Sequence, residues 1–452
     1  DRGVLAEEGE SEEREDEGPH RVAIVPSGIV DNALEVSPLL RTAPRIARYT
    51  FTLQWPGVFL TGLTWGVVSL TTFAAKRSLG GAEWTVPALI AVGQMTWIAA
   101  PAITPLLMRA RPQRAWRWLG LISNGPLLLV AFVVVRPVGV EGHGEGWLGL
   151  FFFAIFLHYA GSVGYVPHRG AMLRTNYPPA VRGRMYGLIQ LIAFLGVVLA
   201  SKGAGALLDR DPRWLRLIYP VAAVLGFAGF WIQSRIRWRG QGRRRFPAGA
   251  TGLWARWKEA CVATVRILRE DRAFRIYETA FMLYGIGFLM SVTLLVLYAE
   301  DDLGLSYSQY TWAVGVAYPL ALLVGTSVWG RLVDRIGMVR TTLFAFLSLG
   351  LFFALMPLVG SAGALIAGFA LWGLAMAGID VTWSLGPLHF APDDKAHMYP
   401  AVHFSLVGVR SVFAPFLGYF TKELLGFRLA FLITAALMVV AAVVVSRSER
   451  VS

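Results

Sequence analysis

The chain has 452 residues, of which 55% are hydrophobic and only 16% are charged. In water-soluble globular chains about a quarter of all residues are charged, so this composition argues against a soluble enzyme. The 16 tryptophans and 48 glycines point the same way, because tryptophan collects at membrane interfaces and glycine is tolerated inside lipid-spanning helices. The composition therefore indicates a membrane protein.

The net charge of +13 does not indicate a nucleic-acid-binding protein once its distribution along the chain is considered. Acidic residues are concentrated in 1–36, whereas lysines and arginines cluster between apolar runs, which is typical of membrane topology. Residues 1–36 hold few large apolar side chains, so we expect a disordered acidic tail. The single cysteine, Cys261, excludes an intrachain disulfide.

Apolar runs close to the length needed to cross a bilayer as a helix, about 20 residues, recur along the rest of the chain. Lipid requires each backbone polar group to be satisfied within its own segment, so helices are expected. We predict an all-α integral membrane protein with twelve spans in two six-helix bundles. Spans 1 to 12 are placed at 55–75, 84–107, 116–136, 148–167, 185–208, 217–234, 276–299, 309–329, 341–359, 362–388, 399–420 and 426–446.

The distribution of basic residues predicts the orientation in the membrane. With the amino terminus in the cytoplasm, most lysines and arginines of the connections lie on the cytoplasmic side. Many belong to the central connection 235–275, which separates spans 1–6 from spans 7–12. We therefore expect a multi-pass protein of the cytoplasmic (inner) membrane, surrounded by lipid bilayer, with both termini inside. The predicted domains are the tail 1–36, a first bundle 37–234, a basic linker 235–275 and a second bundle 276–452.

Within the linker, Leu253 to Glu270 has the pattern of an amphipathic helix. Trp254 and Trp257 share the apolar face, and cationic side chains cover the opposite one. Such a helix lies in the headgroup layer with its cations near anionic lipid. A structural strut between the two bundles and a regulatory or partner-binding helix both remain open.

The most specific motif follows span 8. It reads Gly330-Arg-Leu-Val-Asp334-Arg335-Ile-Gly337-Met-Val-Arg340. It resembles the loop signature of the major facilitator superfamily, G-x-L-x-D-R-x-G-x-x-R, which lies between spans 8 and 9 and again between spans 2 and 3. The glycines suit a tight turn, the aspartate suits the positive end of a helix, and the arginines suit carboxylates or headgroups.

The corresponding connection in the first half, 104–114, departs from this pattern. Met108 stands where the signature has aspartate, and Arg111 stands where it has glycine. The resemblance as a whole implies two six-helix bundles that rock about a central cavity, with the cargo held between them. The aromatic and amide side chains of the spans suit a small organic, amphipathic solute. The resemblance leaves proton coupling open, and the degraded first-half motif leaves room for a member that no longer transports.

A polar cavity requires polar side chains inside otherwise apolar spans, and each is a functional hypothesis because lipid disfavours it. Asp380 in span 10 and Arg410 in span 11 are expected at similar depths, given a rise of about 1.5 Å per residue. We predict that they pair, either as a coupling and cargo site or as a structural ion pair. Lys202 in span 5 is either a cavity cation or a lysine that extends to the interface.

Three further titratable residues lie in or near the spans. Glu278, at the edge of span 7, is predicted to be an interfacial carboxylate. His158 and His403 are predicted as cavity residues, since histidine is the side chain suited to proton exchange, although a histidine hydrogen-bonded within a bundle is the commoner arrangement. No histidine pair has metal-ligand spacing, so neither a metal nor another cofactor is predicted.

Trp65, Gln190 and Trp383 fall near the middle of their spans and are predicted to line the cavity. No G-x-x-x-x-G-K-[ST] motif is present, which argues against an ATP-driven pump with its own motor. The sequence thus favours a secondary transporter, a non-enzyme, over a non-transporting assembly factor or sensor. We expect a monomer whose partners are a small-molecule substrate, protons and lipid, without nucleic acid.

Overall fold

The computed structural model describes residues 44–99, 103, 110–135, 145–239, 253–392 and 398–448. All regular elements within these ranges are helices, and the ranges belong to one compact unit, Pro44–Ser452. The acidic tail and the first-half signature positions 104–109 lie outside the described residues. The predicted all-helical architecture is confirmed.

The first six spans are helices, several of them interrupted by short breaks. Their bounds are Arg45–Val68 and Thr71–Arg77 for span 1, Thr85–Met95 and Thr96–Ala99 for span 2, Pro112–Asn124 and Gly125–Phe132 for span 3, Glu145–Ser162 and Tyr165–Asn176 for span 4, Pro179–Arg210 for span 5, and Leu215–Gln233 for span 6.

The second half follows the same scheme after the linker helix, Leu253–Glu270. The bounds are Arg272–Leu297 with the π-helix Tyr298–Asp302 for span 7, Tyr307–Thr311, Trp312–Ala317 and Tyr318–Ile336 for span 8, Met338–Leu355 for span 9, Ala362–Phe390 for span 10, and Met398–Val445 for spans 11 and 12. Gly426, with φ at 76°, separates the last two spans.

Length and composition support membrane insertion of these helices. Eight helices of the described residues are long and apolar enough to cross a bilayer, and the last of them contains the break at Gly426. Two shorter apolar helices, Thr85–Ala99 and Trp147–Ser162, lie in spans 2 and 4. Leu199 and Val324 are more than half exposed on span surfaces, as expected where lipid covers apolar side chains.

Small residues allow the spans of each half to pack closely. Gly62 and Gly66 of span 1 lie directly against the backbone of span 5, with no room for a Cβ atom. Gly418 in span 11 lies equally close to the backbone of span 7 at Met290. Because lipid provides little driving force between helices, such close approach contributes much of the packing energy.

The linker helix Leu253–Glu270 has the predicted bounds. Ile267 is buried and packs with Phe274, Tyr399 and Val402, at the start of spans 7 and 11. The linker helix is thereby attached to one end of the second half. We call this end of the molecule the linker end, and we call the opposite end the distal end.

Candidate functional site

Arg410 of span 11 is hydrogen-bonded to span 7 in the middle of the second half. Its side chain is buried, and Nη1 donates to the backbone oxygen of Phe281. The guanidinium carbon lies 5.7 Å from the ring centroid of Tyr284. Gly285 provides the space, since a Cβ atom there would collide with the guanidinium group. Arg410 therefore joins spans 7 and 11 and leaves no surface free for lipid.

Asp380 does not form the predicted ion pair with Arg410. Its side chain is exposed, although it belongs to the middle of span 10. Electrostatic interactions connect Asp380 with Tyr284 of span 7 and Tyr318 of span 8. The carboxylate therefore faces other helices, next to space that solvent can reach. The pair is not made because the Arg410 guanidinium lies on the backbone of span 7 instead.

Glu278 and His403 form a buried pair that the sequence analysis did not predict. Nδ1 of His403 lies 2.9 Å and 3.0 Å from the two carboxylate oxygens of Glu278. The side chains are 1% exposed for His403 and 3% for Glu278. Glu278 is thus not the interfacial carboxylate that the sequence suggested. The two residues lie six and five positions into their helices, and this similar depth is the signal that could have revealed the pair.

An aromatic group surrounds His403 and reaches the first half. The ring centroid of Trp383 lies 5.4 Å from that of His403 and 4.9 Å from that of Phe404. Phe404 in turn stacks on Trp97 of span 2, with centroids 5.9 Å apart. Nε2 of His403 is buried and has no hydrogen-bond partner within the described residues. This group joins spans 2, 10 and 11.

The first half has its own aromatic group. Trp65 of span 1 is 37% exposed, and its ring centroid lies 5.6 Å from His158 and 6.2 Å from Tyr159. His158 is buried, and its Nδ1 lies 2.6 Å from the backbone oxygen of Ser123. Of the two predicted cavity residues, Trp65 is therefore accessible and His158 is held against span 3.

Gln190 meets a cation that the sequence analysis missed. Nη2 of Arg169 donates to Oε1 of Gln190. The Arg169 guanidinium also lies 5.3 Å from the ring centroid of Tyr186 and 5.9 Å from that of Tyr165. Nε of Arg169 has no acceptor within the described residues. Arg169 was overlooked because span 4 was predicted to end at residue 167, whereas its helix continues to Asn176.

Ion pairs connect the two halves at the distal end. Nζ of Lys76 lies 3.1 Å from a carboxylate oxygen of Asp301, and Nη1 of Arg77 lies 2.9 Å from one of Glu300. Nζ of Lys422 lies 2.5 Å from a carboxylate oxygen of Glu83. All side chains in these three pairs are 15% to 30% exposed. They close the distal end without being fully buried.

Charged side chains of span 5 also contact span 8 at the distal end. The carboxylate of Asp209 accepts from the backbone N–H groups of Tyr307 at 2.7 Å and Ser308 at 2.8 Å. Lys202 donates from Nζ to the backbone oxygen of Ser308 at 3.1 Å and lies 4.3 Å from the ring centroid of Trp312. Lys202 thus lies at the contact between the halves.

The loop signature forms the turn between spans 8 and 9. Gly337, with φ at 84°, ends one helix and precedes the next. Gly330 lies in the last turns of span 8, and the side chains of Asp334, Arg335 and Arg340 are exposed at this linker-end turn. Left-handed backbone of this kind is accessible to glycine at little cost, which explains Gly337.

The described residues contain no group of three or more His, Cys, Asp or Glu side chains placed to hold a metal ion. The charged groups at mid-depth are instead single side chains. Arg169 lies in the first half, and Asp380 and Arg410 lie in the second. Such an arrangement can bind polar groups of a solute.

Solved structures share this fold. The crystal structure of the nucleoside transporter NupG matches with a TM-score of 0.66 and 11% identity, over 89% of this chain and 99% of that one. A POT family transporter in complex with 5-aminolevulinic acid matches with a TM-score of 0.68 and 13% identity, over 89% of this chain and 96% of that one. A POT family transporter in complex with a thioalcohol-conjugated peptide matches with a TM-score of 0.67 and 12% identity, over 91% of this chain and 99% of that one.

Sequence comparison gives the family. No curated protein matches the chain at a significant level. The family model described as Major Facilitator Superfamily matches residues 55–407 and again residues 279–451. Together these matches cover most of the chain, as the signature after span 8 led us to expect. The chain is a multi-pass membrane protein and belongs to the Major Facilitator Superfamily.

Proposed function

We propose that the protein is a secondary active transporter that moves a small organic solute by alternating access. The observation that carries the proposal is the position of the contacts between the halves. Within the described residues, the ion pairs between the halves all lie at the distal end. At mid-depth, Asp380 is accessible and forms no ion pair with a described residue. A closed end above accessible charged groups suits a carrier that is open on one side only.

The orientation rule supports the direction of this opening. The linker helix Leu253–Glu270 belongs to the linker end, and cytoplasmic connections are rich in lysine and arginine. In this arrangement the solute site is closed toward the outside and reached from the cytoplasm. Transport then requires a second conformation, in which the distal contacts separate and the linker end closes.

We further infer that protons couple to transport through Asp380. An accessible carboxylate in a membrane span, without a cation partner, is suited to taking up and releasing a proton during the cycle. The buried Glu278 and His403 pair lies between spans 7 and 11, and Glu278 interacts electrostatically with Arg410. The pair stabilises the helices that carry the neighbouring groups.

Uptake into proteoliposomes tests this function. A library of radiolabelled small solutes is offered to purified protein with and without an inward pH gradient, for wild type, Asp380→Asn and the control Asp211→Asn. We expect gradient-driven uptake of at least one solute by wild type and the control, and its loss in Asp380→Asn. Uptake that Asp380→Asn leaves unchanged removes this residue from coupling. No flux of any solute, in either direction, supports the assembly factor or sensor instead.

A further inference from the structure

Among the described residues of its own half, Arg169 has no carboxylate partner. Its polar contacts are the amide of Gln190 and two tyrosine rings. The described acidic residues between positions 44 and 234 belong to the distal connections or the helix ends beside them: Glu83, Glu145, Asp209 and Asp211. A cation within a span costs free energy unless it is paired. The counter-charge for Arg169 must therefore come from the other half or from a bound solute.

Asp380 in the second half lacks a cationic partner among the described residues. It forms no ion pair with a described residue, and Arg410, the cation that the sequence predicted as its partner, donates to the backbone oxygen of Phe281 instead. The side chain of Asp380 is accessible. Arg169 and Asp380, neither of them in an ion pair with a described residue, thus lie on opposite halves of the molecule.

The two charges lie at similar depths. Gln190, which accepts from Arg169, is eleven residues from the start of its helix at Pro179. Asp380 is ten residues from the end of its helix at Phe390. At about 1.5 Å per residue, both lie roughly 15 Å from the linker end.

The surface that carries Gln190 is directed toward the second half. Ser201 lies eleven residues further along the same helix, which is about three full turns, so both side chains share one face. Ser201 packs against Gly315 of span 8, where a Cβ atom would collide with its side chain. Gln190 and the Arg169 guanidinium therefore face span 8 and its neighbours, among them span 10.

We propose that Arg169 and Asp380 form the two ends of a site for a small zwitterion. The carboxylate of the solute binds the guanidinium of Arg169, and its ammonium group binds the carboxylate of Asp380. Tyr186, which is 43% exposed, and Trp65 offer aromatic surface to the apolar part of the solute. This inference rests on the proposed transport function and names its substrate class.

The charge balance explains why a zwitterion is selected. A solute with one charge leaves either Arg169 or Asp380 unpaired when the halves close, and an unpaired buried charge is costly. A zwitterion pairs both charges and adds no net charge to the low-dielectric interior. Because it contacts both halves, it also binds the closed arrangement more tightly than an open one, which is the condition for shifting the equilibrium.

Binding to the purified protein tests the inference without requiring transport. The probes are ω-amino carboxylates of increasing chain length and phenylalanine-containing dipeptides, each compared with its N-acetyl and carboxamide derivatives. Binding is measured by the shift of the thermal unfolding midpoint and by equilibrium titration. We expect at least one free zwitterion to bind, and capping of either end to weaken its affinity at least about tenfold, as for a lost charged hydrogen bond.

Variants assign each end of the solute. Asp380→Asn should bind the N-acetyl derivative and the free zwitterion with equal affinity. Arg169→Gln should bind the carboxamide derivative and the free zwitterion with equal affinity. Arg169→Lys retains the charge and should keep the preference for a free carboxylate, which also guards against a folding defect. Arg174→Gln removes an exposed cation from the same helix and is the matched control.

The outcomes separate this inference from the transport proposal. Binding of zwitterions without any flux upholds the site and contradicts transport. Flux of neutral or singly charged solutes, with no preference for zwitterions, contradicts the site and leaves transport standing. The inference is also overturned if no zwitterion of the panel binds, or if capped derivatives bind equally well.

Discussion

The buried pair of Glu278 and His403 and the ion pairs of the distal end hold different parts of the molecule together. The buried pair joins two spans of the same half and is almost inaccessible to solvent. The distal pairs join the two halves and remain partly exposed. Breaking a buried pair by removing one partner costs about 3 to 5 kcal/mol, whereas an exposed pair contributes only about 1 kcal/mol or less.

This difference assigns a role to each region. In the proposed alternating access, the strong interior contacts keep each half rigid, and the weaker distal contacts allow the halves to separate. Three such distal pairs amount to a few kcal/mol, about the free-energy difference between two exchanging conformations. Interior substitutions should therefore lower stability, and distal substitutions should shift populations while stability changes little.

The largest effect is expected from His403→Leu. Without its donor, the Glu278 carboxylate is left buried and unpaired, which costs about 3 kcal/mol or more. We expect the largest decrease in the thermal unfolding midpoint of the protein in detergent. The double variant with Glu278→Gln should recover part of the loss, since the two residues are coupled. Additive losses in this cycle contradict the pairing.

Gly285→Ala should have the next largest effect. The added methyl group collides with the guanidinium of Arg410, and overpacking of this kind costs about 1 to 3 kcal/mol. Gly203→Ala is the control, because a Cβ atom there meets no neighbouring atom. A lowered unfolding midpoint is expected for the first variant alone. Equal midpoints for both variants would show that Arg410 does not depend on Gly285.

Arg77→Glu should open the distal end. The substitution replaces attraction to Glu300 by repulsion, for a change of about 1 to 2 kcal/mol in the equilibrium between conformations. A shift of that size changes the population ratio about fivefold to thirtyfold. Spin-label distances across the distal end measure it. The charge exchange Arg77→Glu with Glu300→Arg should restore the wild-type distances, and failure to do so counts against the ion pair.

Asp209→Asn should produce the smallest of these shifts. The carboxylate accepts from two backbone N–H groups at the start of span 8, and loss of its charge weakens both bonds by about 1 kcal/mol in total. Asp211→Asn is a close control, because Asp211 accepts from Arg213 within the first half. Equal distal distances in both variants would contradict the role of Asp209.

The sequence predicted the helices and the family because both depend on local patterns. Apolar runs of membrane length specify spans, and the Gly330 to Arg340 motif lies within a single turn region. The pairings were not predictable in the same way. Glu278 and His403 are 125 positions apart, and Arg77 and Glu300 are 223 apart. Such contacts depend on how helices rotate and meet, which composition does not specify.

Asp380 and Arg410 show that similar depth in the membrane does not by itself predict which side chains pair. Their predicted depths agreed, but the rotation of span 11 and the space at Gly285 direct Arg410 to the backbone of Phe281. Arg169 shows a second limit, since an apolar-run criterion ends a span before its charged residues. The helix nevertheless continues, and its cation extends to Gln190.

Distances measured at both ends of one molecule test the central claim most directly. Cys261 is the only cysteine, so Cys261→Ser gives a cysteine-free background for paired spin labels at the distal end, Ala82 with Leu303, and at the linker end, Arg174 with His389. Rigid halves that rock predict that Arg77→Glu lengthens the distal distance and shortens the linker-end distance together. A longer distal distance with an unchanged linker-end distance would contradict alternating access.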